Sequence, residues 1–163
     1  LNAGDTYNPT SDITLYAVYS TQEAGDAFTG YTKVTEAPDD WSGKYLLSTG
    51  TYTANGTFDS NGTEGHLVRT TYTPGNVEKV DWEFTLTKTE GGNYSILFPD
   101  GTWYLGHDDG TYFGRSIDVD NAAYLWTPST NGISNVNATS RKIADNGSAD
   151  FRFGIVAGTE FSE

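Results

Sequence analysis

The chain contains no cysteine. Disulfides therefore contribute nothing to its stability, and thiol chemistry, nucleophilic or redox, is excluded. Histidine is nearly as scarce, with two residues, His66 and His107. No Gly-x-Ser-x-Gly elbow, His-Glu-x-x-His helix, phosphate loop or dinucleotide fingerprint occurs in the 163 residues, which removes the usual signatures of hydrolase, metalloprotease and nucleotide chemistry. Positive charge is short as well: 9 Lys and Arg stand against 22 Asp and Glu, a formal net charge of −13. A nucleic-acid partner needs a cationic patch, and so does binding to an anionic membrane; both are disfavoured. The acidic balance reads instead as a solubility device, with divalent-cation binding as the sharper alternative. Long apolar runs are missing: nothing reaches transmembrane length, and no signal peptide or sorting tail is visible. The sequence begins at Leu1 in mid-pattern, so the expectation is a piece of a longer polypeptide with no membrane insertion of its own.

What is abundant is glycine and aromatic mass. There are 19 Gly, and Tyr 11, Phe 8 and Trp 4 add large apolar surface to a hydrophobic content of only 36%. Many short strands joined by tight turns fit this composition. No helical stripe of useful length appears, and the longest non-strand candidate, Ser116 to Ala123, is polar and broken. The plainest strand signal runs from Val80, where Val80, Trp82, Phe84 and Leu86 alternate with Asp81, Glu83, Thr85 and Thr87. That period of two predicts a half-buried strand. Turns at Glu90-Gly91-Gly92-Asn93, Pro99-Asp100-Gly101 and His107-Asp108-Asp109-Gly110 separate it from Tyr94–Phe98, Trp103–Leu105 and Tyr112–Phe113, which predicts a four-stranded meander. Further strands are expected at Trp41–Leu47, His66–Tyr72, Ala123–Thr127, Ile133–Val136, Arg141–Ile143 and Phe151–Ile155, with Tyr52 and Phe58 as inward anchors.

Residues 1–20 form a separate strand segment, with Ile13, Leu15, Ala17 and Tyr19 on one face; residues 21–30 are polar and Gly-containing and read as a linker. The main unit spans 31–156, and 157–163 form a tail. The run Thr14-Leu15-Tyr16-Ala17-Val18-Tyr19, preceded by Gly4-Asp5, resembles the closing portion of the Listeria–Bacteroides repeat, the internalin-B-type B repeat, with Tyr19 where a Trp is usual. That resemblance covers about a tenth of the chain. It implies a multidomain protein outside or attached to a bacterial cell wall, with neighbouring domains of the same chain as partners. In the order of its phrases, Gly43-Lys44-Tyr45-Leu46, Tyr94-Ser95-Ile96, Tyr104-Leu105-Gly106 and Phe151-Arg152-Phe153, the main unit resembles an uncharacterised β module of secreted gut-bacterial proteins, which brings no known activity.

Trp41, Trp82 and Trp126 recur at intervals of roughly forty residues, the sort of period that marks internal repeats. Three such units are the expectation for a β-trefoil, and the phrases around Trp82 and Trp126 resemble ricin-type and fascin-like trefoil units in style. A closed barrel without threefold symmetry gives similar spacing, and a sandwich is the remaining option. The expected class is all-β, a closed barrel or trefoil-like module preceded by a short strand.

For chemistry, the acids sit mainly beside Gly, Asn or Pro, where turn geometry explains them. A glycosidase needs only two facing carboxylates, yet the expectation is no enzyme and no cofactor. Two acidic groups, Asp100 with Asp108 and Asp109, and Asp118 with Asp120 and Asn121, lack the EF-hand spacing and read as turn residues, so no metal is expected. The positive expectation is glycan binding. A sugar presents an apolar C–H face ringed by hydroxyls, so its site needs an exposed aromatic ring beside planar polar groups. Trp103, Tyr104, His107, Asp108, Asp109 and Tyr112 offer that mixture at one strand end and its turn. The competing reading places Trp103 and Leu105 in the core, with Asp108-Asp109-Gly110 merely closing a hairpin. At the level of function these become a non-catalytic accessory module that binds glycan, or a structural or protein-interaction spacer.

Overall fold

The computed structural model describes residues 28–49, 51–61, 64–72, 78–107, 110–145 and 152–157, with 61 and 152–157 described as backbone. The strand segment 1–20, most of the linker and the tail beyond 157 lie outside the described residues, as do Asp108 and Asp109. The strands are β1 (Gly43–Tyr45), β2 (Tyr52–Asn61), β3 (Glu64–Thr71), β4 (Phe84–Lys88), β5 (Tyr94–Leu97), β6 (Tyr104–His107), β7 (Phe113–Ser116), β8 (Trp126–Ser129), β9 (Gly132–Asn135), β10 (Arg141–Asp145) and β11 (Arg152–Ala157). The single helical piece among the described residues is one 3-10 turn, Ala122–Tyr124. The protein is all-β.

The predicted meander is present: β4, β5, β6 and β7 pair in succession, each antiparallel to the last. Phe84 and Leu86 are fully buried while Thr85 is half-buried and Thr87 exposed, as alternation requires; Lys88, on the buried parity, is exposed at the strand's end. The strand begins later than the pattern suggests. Val80 and Trp82 are half-buried but lie outside β4, packed against Tyr31, Leu46 and Tyr72 in a second apolar cluster. The Tyr31 hydroxyl donates to the Val80 carbonyl at 3.1 Å, with Glu83 Oε1 sharing it at 3.2 Å, so a side chain satisfies this backbone in place of a ladder. Residues 123–127 also divide: Ala123 and Tyr124 belong to the 3-10 turn, and the strand starts at Trp126.

The described strands form one antiparallel sheet in the order β1-β4-β5-β6-β7-β3-β11-β10-β9-β8, with β2 alongside β3. It is open, and the closed barrel expected from sequence is not formed. Closure needs a continuous ladder between the path's ends. The path instead ends at β1 and β8, and β8 returns to β5 through a single pair, Tyr94↔Trp126. β5 is only four residues long, and its second edge is already engaged by β6 at Leu97↔Tyr104. The three spaced tryptophans are not equivalent either: Trp41 and Trp126 are buried in the main core, whereas Trp82 packs in the second cluster.

β2 carries Thr, Asn, Gly and Asp and reads as turn-like, yet it is the longest strand because β3 pairs with it from Tyr52↔Thr71 to Asn61↔Glu64. Its register breaks between Ala54 and Phe58. There Asn55 Oδ1 accepts from the Thr57 amide at 3.0 Å and Gly56 takes φ +80°, with a Cβ at that position only 2.7 Å from Pro99 Cγ. Both the backbone angle and the proline contact require glycine. The main core gathers Trp41, Tyr45, Leu47, Phe84, Ile96, Leu105, Phe113, Trp126, Ile133 and Ile143 from both halves of the sheet.

The second cluster makes the fold sensitive to alkali. Burial, and next the charge of Glu83, raises the Tyr31 phenol well above its ordinary value, and burial followed by Glu78 raises Tyr72. Both phenols are held neutral in the fold, whereas in the unfolded chain they lose protons above about pH 10. A raised folded pKa gives stability that is complete below that pH and is lost as pH climbs beyond it. The urea midpoint is expected to fall between pH 8 and pH 11, and Tyr31→Phe with Tyr72→Phe should flatten that fall.

Candidate functional site

The geometry of the predicted site follows from strand parity. In β6 and β7 the register is Tyr104↔Ser116, Leu105↔Arg115, Gly106↔Gly114 and His107↔Phe113. Directly opposed residues share a face, and neighbours along a strand alternate. Leu105 and Phe113 are fully buried, so they define the inner face, which His107 and Arg115 share. Trp103 keeps the same parity.

The structure therefore separates the four of the six proposed residues that it describes. Trp103 is half-buried against the main core, and the Arg115 guanidinium lies 4.9 Å from its ring and 5.1 Å from that of Phe58. One face of the indole is thus occupied by the half-buried Arg115 cation. His107 is buried, with Nδ1 3.4 Å from the Tyr112 carbonyl, an arrangement in which Nδ1 carries the proton and steadies the end of the β6–β7 turn. Tyr104 and Tyr112 lie on the outer face, Tyr104 half-buried and Tyr112 44% exposed. Asp108 and Asp109 fall outside the described residues.

The outer face also brings in residues that sequence reasoning does not connect to this turn. β3 pairs with β7 through Glu64↔Gly114 and Gly65↔Phe113, which sets His66 beside Tyr112 with ring centroids 5.0 Å apart. β2 adds Asp59 directly opposite His66 and Asn61 opposite Glu64. An exposed phenol, an imidazole and two carboxylates thus share one face at the meeting of three strands. His66 is distant from Tyr112 in sequence, and only the non-local β3–β7 pairing joins them; no local pattern carries that information.

Tyr124 completes the surface. A Cβ on Gly106 would lie 2.4 Å from ring atoms of Tyr124, so the tyrosine ring occupies the space that a side chain there would fill. The turn carrying it is firmly held. Asn121 Oδ1 accepts from the Ala123 amide at 2.9 Å, the Ala123 carbonyl accepts from buried Asn135 Nδ2 at 2.8 Å, and the Leu125 carbonyl accepts from the Val136 amide at 2.9 Å.

Asp100, another of the acidic candidates, has a structural explanation. Asp100 Oδ1 accepts from the Thr102 amide at 2.9 Å, closing its own turn. Among the described residues no group of three His, Asp or Glu is placed to hold a metal ion. A cleft of about 350 Å³ is lined by Val34, Pro38, Asp40, Ser42 and Tyr45. Its carboxylate is already engaged, since Asp40 Oδ1 accepts from the Ser42 amide at 2.8 Å and from the Tyr94 hydroxyl at 3.1 Å. Those bonds, the Ser42 amide foremost, hold the Asp40 carboxyl below its ordinary range. No family model, curated protein or solved structure matches this chain.

Proposed function

We propose that the chain is a non-catalytic, glycan-binding accessory module of a bacterial secreted or cell-surface protein. The observation that carries this reading is Tyr112: a large ring 44% exposed at a strand end, with His66 5.0 Å away. Exposed aromatic rings beside planar hydrogen-bonding groups suit the mixed apolar and hydroxylated faces of a sugar. Asp59 and Glu64 supply acceptors for hydroxyls on the same face. Trp103 and His107 leave the proposed contact set, and they support the turn from inside.

A second reading is a structural or protein-interaction spacer with no small-molecule ligand. It is favoured by the tryptophans: Trp41 and Trp126 are buried, and Trp82 and Trp103 are half-buried against the two clusters. The two readings separate on a glycan array probed with the full chain, with calcium and again with chelator. Glycan recognition predicts reproducible binding that Tyr112→Ala weakens by up to about tenfold, with the circular dichroism spectrum unchanged. A blank array from folded protein would leave the spacer reading.

A further inference from the structure

Along the outer face of β6 and β7 the residues lie in rows. Tyr104 stands opposite Ser116, Gly106 opposite Gly114, and Tyr112 begins the row beyond. The middle row has no side chain of its own, and the ring of Tyr124 lies over its Gly106 end. Three tyrosines therefore occupy successive rows: Tyr104, Tyr124, Tyr112. Successive rows are two residues apart, ~7 Å, so Tyr104 and Tyr112 are separated by ~13 Å along the strands. That length exceeds one sugar ring. The stripe is pre-formed: Tyr104 stands on β6, Tyr112 directly precedes β7 and packs against His66, and Tyr124 is fixed through Asn121 and Asn135.

The charge around the stripe selects among glycans. Glu64 flanks the glycine row from β3, and Asp59 stands opposite His66. Arg115, the cation of β7, belongs to the inner face between Trp103 and Phe58. With a formal charge of −13 on the whole chain, a uronate or sulfated polymer meets repulsion here.

From this juxtaposition we infer that the stripe Tyr104–Tyr124–Tyr112 binds an extended, linear, uncharged glycan running along β7, with several sugar units in contact at once. This rests on the glycan-binding reading above and adds chain length and charge class to it. Each ring supports a sugar face, while Ser116, Glu64 and Asp59 are placed to bond hydroxyls at the margins.

The test is titration calorimetry on the full chain with cello-, manno- and xylo-oligosaccharides of two to six units, and with polygalacturonate as the anionic counterpart. At least one neutral series is expected to tighten about tenfold or more from two units to six. Tyr104→Ala and Tyr124→Ala should each weaken the six-unit ligand about two- to tenfold and leave the two-unit ligand unchanged. Tyr112→Ala should weaken both. Tyr104 lies outside the 3-10 turn, so its variant reports on the stripe even if Tyr124→Ala disturbs that turn; circular dichroism checks both. Equal affinity for two and six units, or preferential binding of polygalacturonate, would overturn the stripe and leave glycan binding at Tyr112 standing. Failure of the folded protein to bind any of these, together with a blank array, would overturn both.

Discussion

Trp126→Ala is expected to destabilise the protein by about 3–5 kcal/mol, the usual cost of truncating a large buried aromatic. Trp126 is fully buried at the start of β8 and tilts against Phe113 with centroids 6.4 Å apart. Its indole Nε1 donates to the Leu105 carbonyl at 2.8 Å, a bond between β8 and the middle of β6. Alanine removes the volume and also orphans that carbonyl in the core, an added cost of about 1–3 kcal/mol where no water enters. The two costs overlap, so the sum is an upper bound. Trp126→Phe separates them: it keeps most of the apolar volume, loses the donor, and is expected to cost less than alanine. Urea denaturation of both variants gives the comparison. A loss under 1 kcal/mol for alanine would mean that β8 is held mainly by its ladder to β9.

The second large effect is expected at the ion pair between Arg69 on β3 and Asp145 on β10, whose side chains are 8% and 10% exposed. Arg69 also lies 4.0 Å from the Tyr52 ring centroid, so one guanidinium serves a carboxylate and an aromatic face. Removing one member of a buried pair strands the other charge, and Arg69→Met is expected to cost about 3–5 kcal/mol. Combining Arg69→Met with Asp145→Leu should restore much of that loss, because the stranded carboxylate goes with it. A double-mutant cycle by chemical denaturation measures the coupling. Additive costs would show that the two side chains act independently.

These two positions also show what the sequence carries and what it does not. The β4–β7 meander is legible because its cues are local: Phe84 and Leu86 alternate with threonines, and Asp, Asn and Gly mark each turn. The sidedness of the candidate site is legible too, if parity is followed. Leu105 is an evident core residue, so Trp103 and His107, two residues to either side, point inward with it, while Tyr104 points out. Treating the run as one cluster because it is contiguous mixes two faces of a sheet. The long-range features have no local mark. Tyr52–Asn61 becomes a strand because β3 lies beside it, against its turn-like composition. His66 meets Tyr112, and Arg69 meets Asp145, only through strands distant in sequence. Val80 and Trp82 show the opposite case: good alternation accompanies no strand, the two side chains pack in the second cluster, and the Val80 carbonyl accepts from the Tyr31 hydroxyl.

The position of β11 has a consequence for the time course of folding. β11 lies between β3 and β10, pairing with Val68 and Leu67 on one side and with the whole of β10 on the other. β3 therefore waits for a partner that follows roughly eighty residues later, a loop closure that must be met before its contacts form. A chain released from its N-terminus first can assemble the meander and the β2–β3 hairpin early, each from near neighbours. β8, β9 and β10 can form a second local unit. Until Arg152–Ala157 arrives, Tyr94↔Trp126 is the one backbone strand pairing between the two units among the described residues. The last strand made is thus the one that joins them, and the final hydrogen-bonding step should set the folding rate.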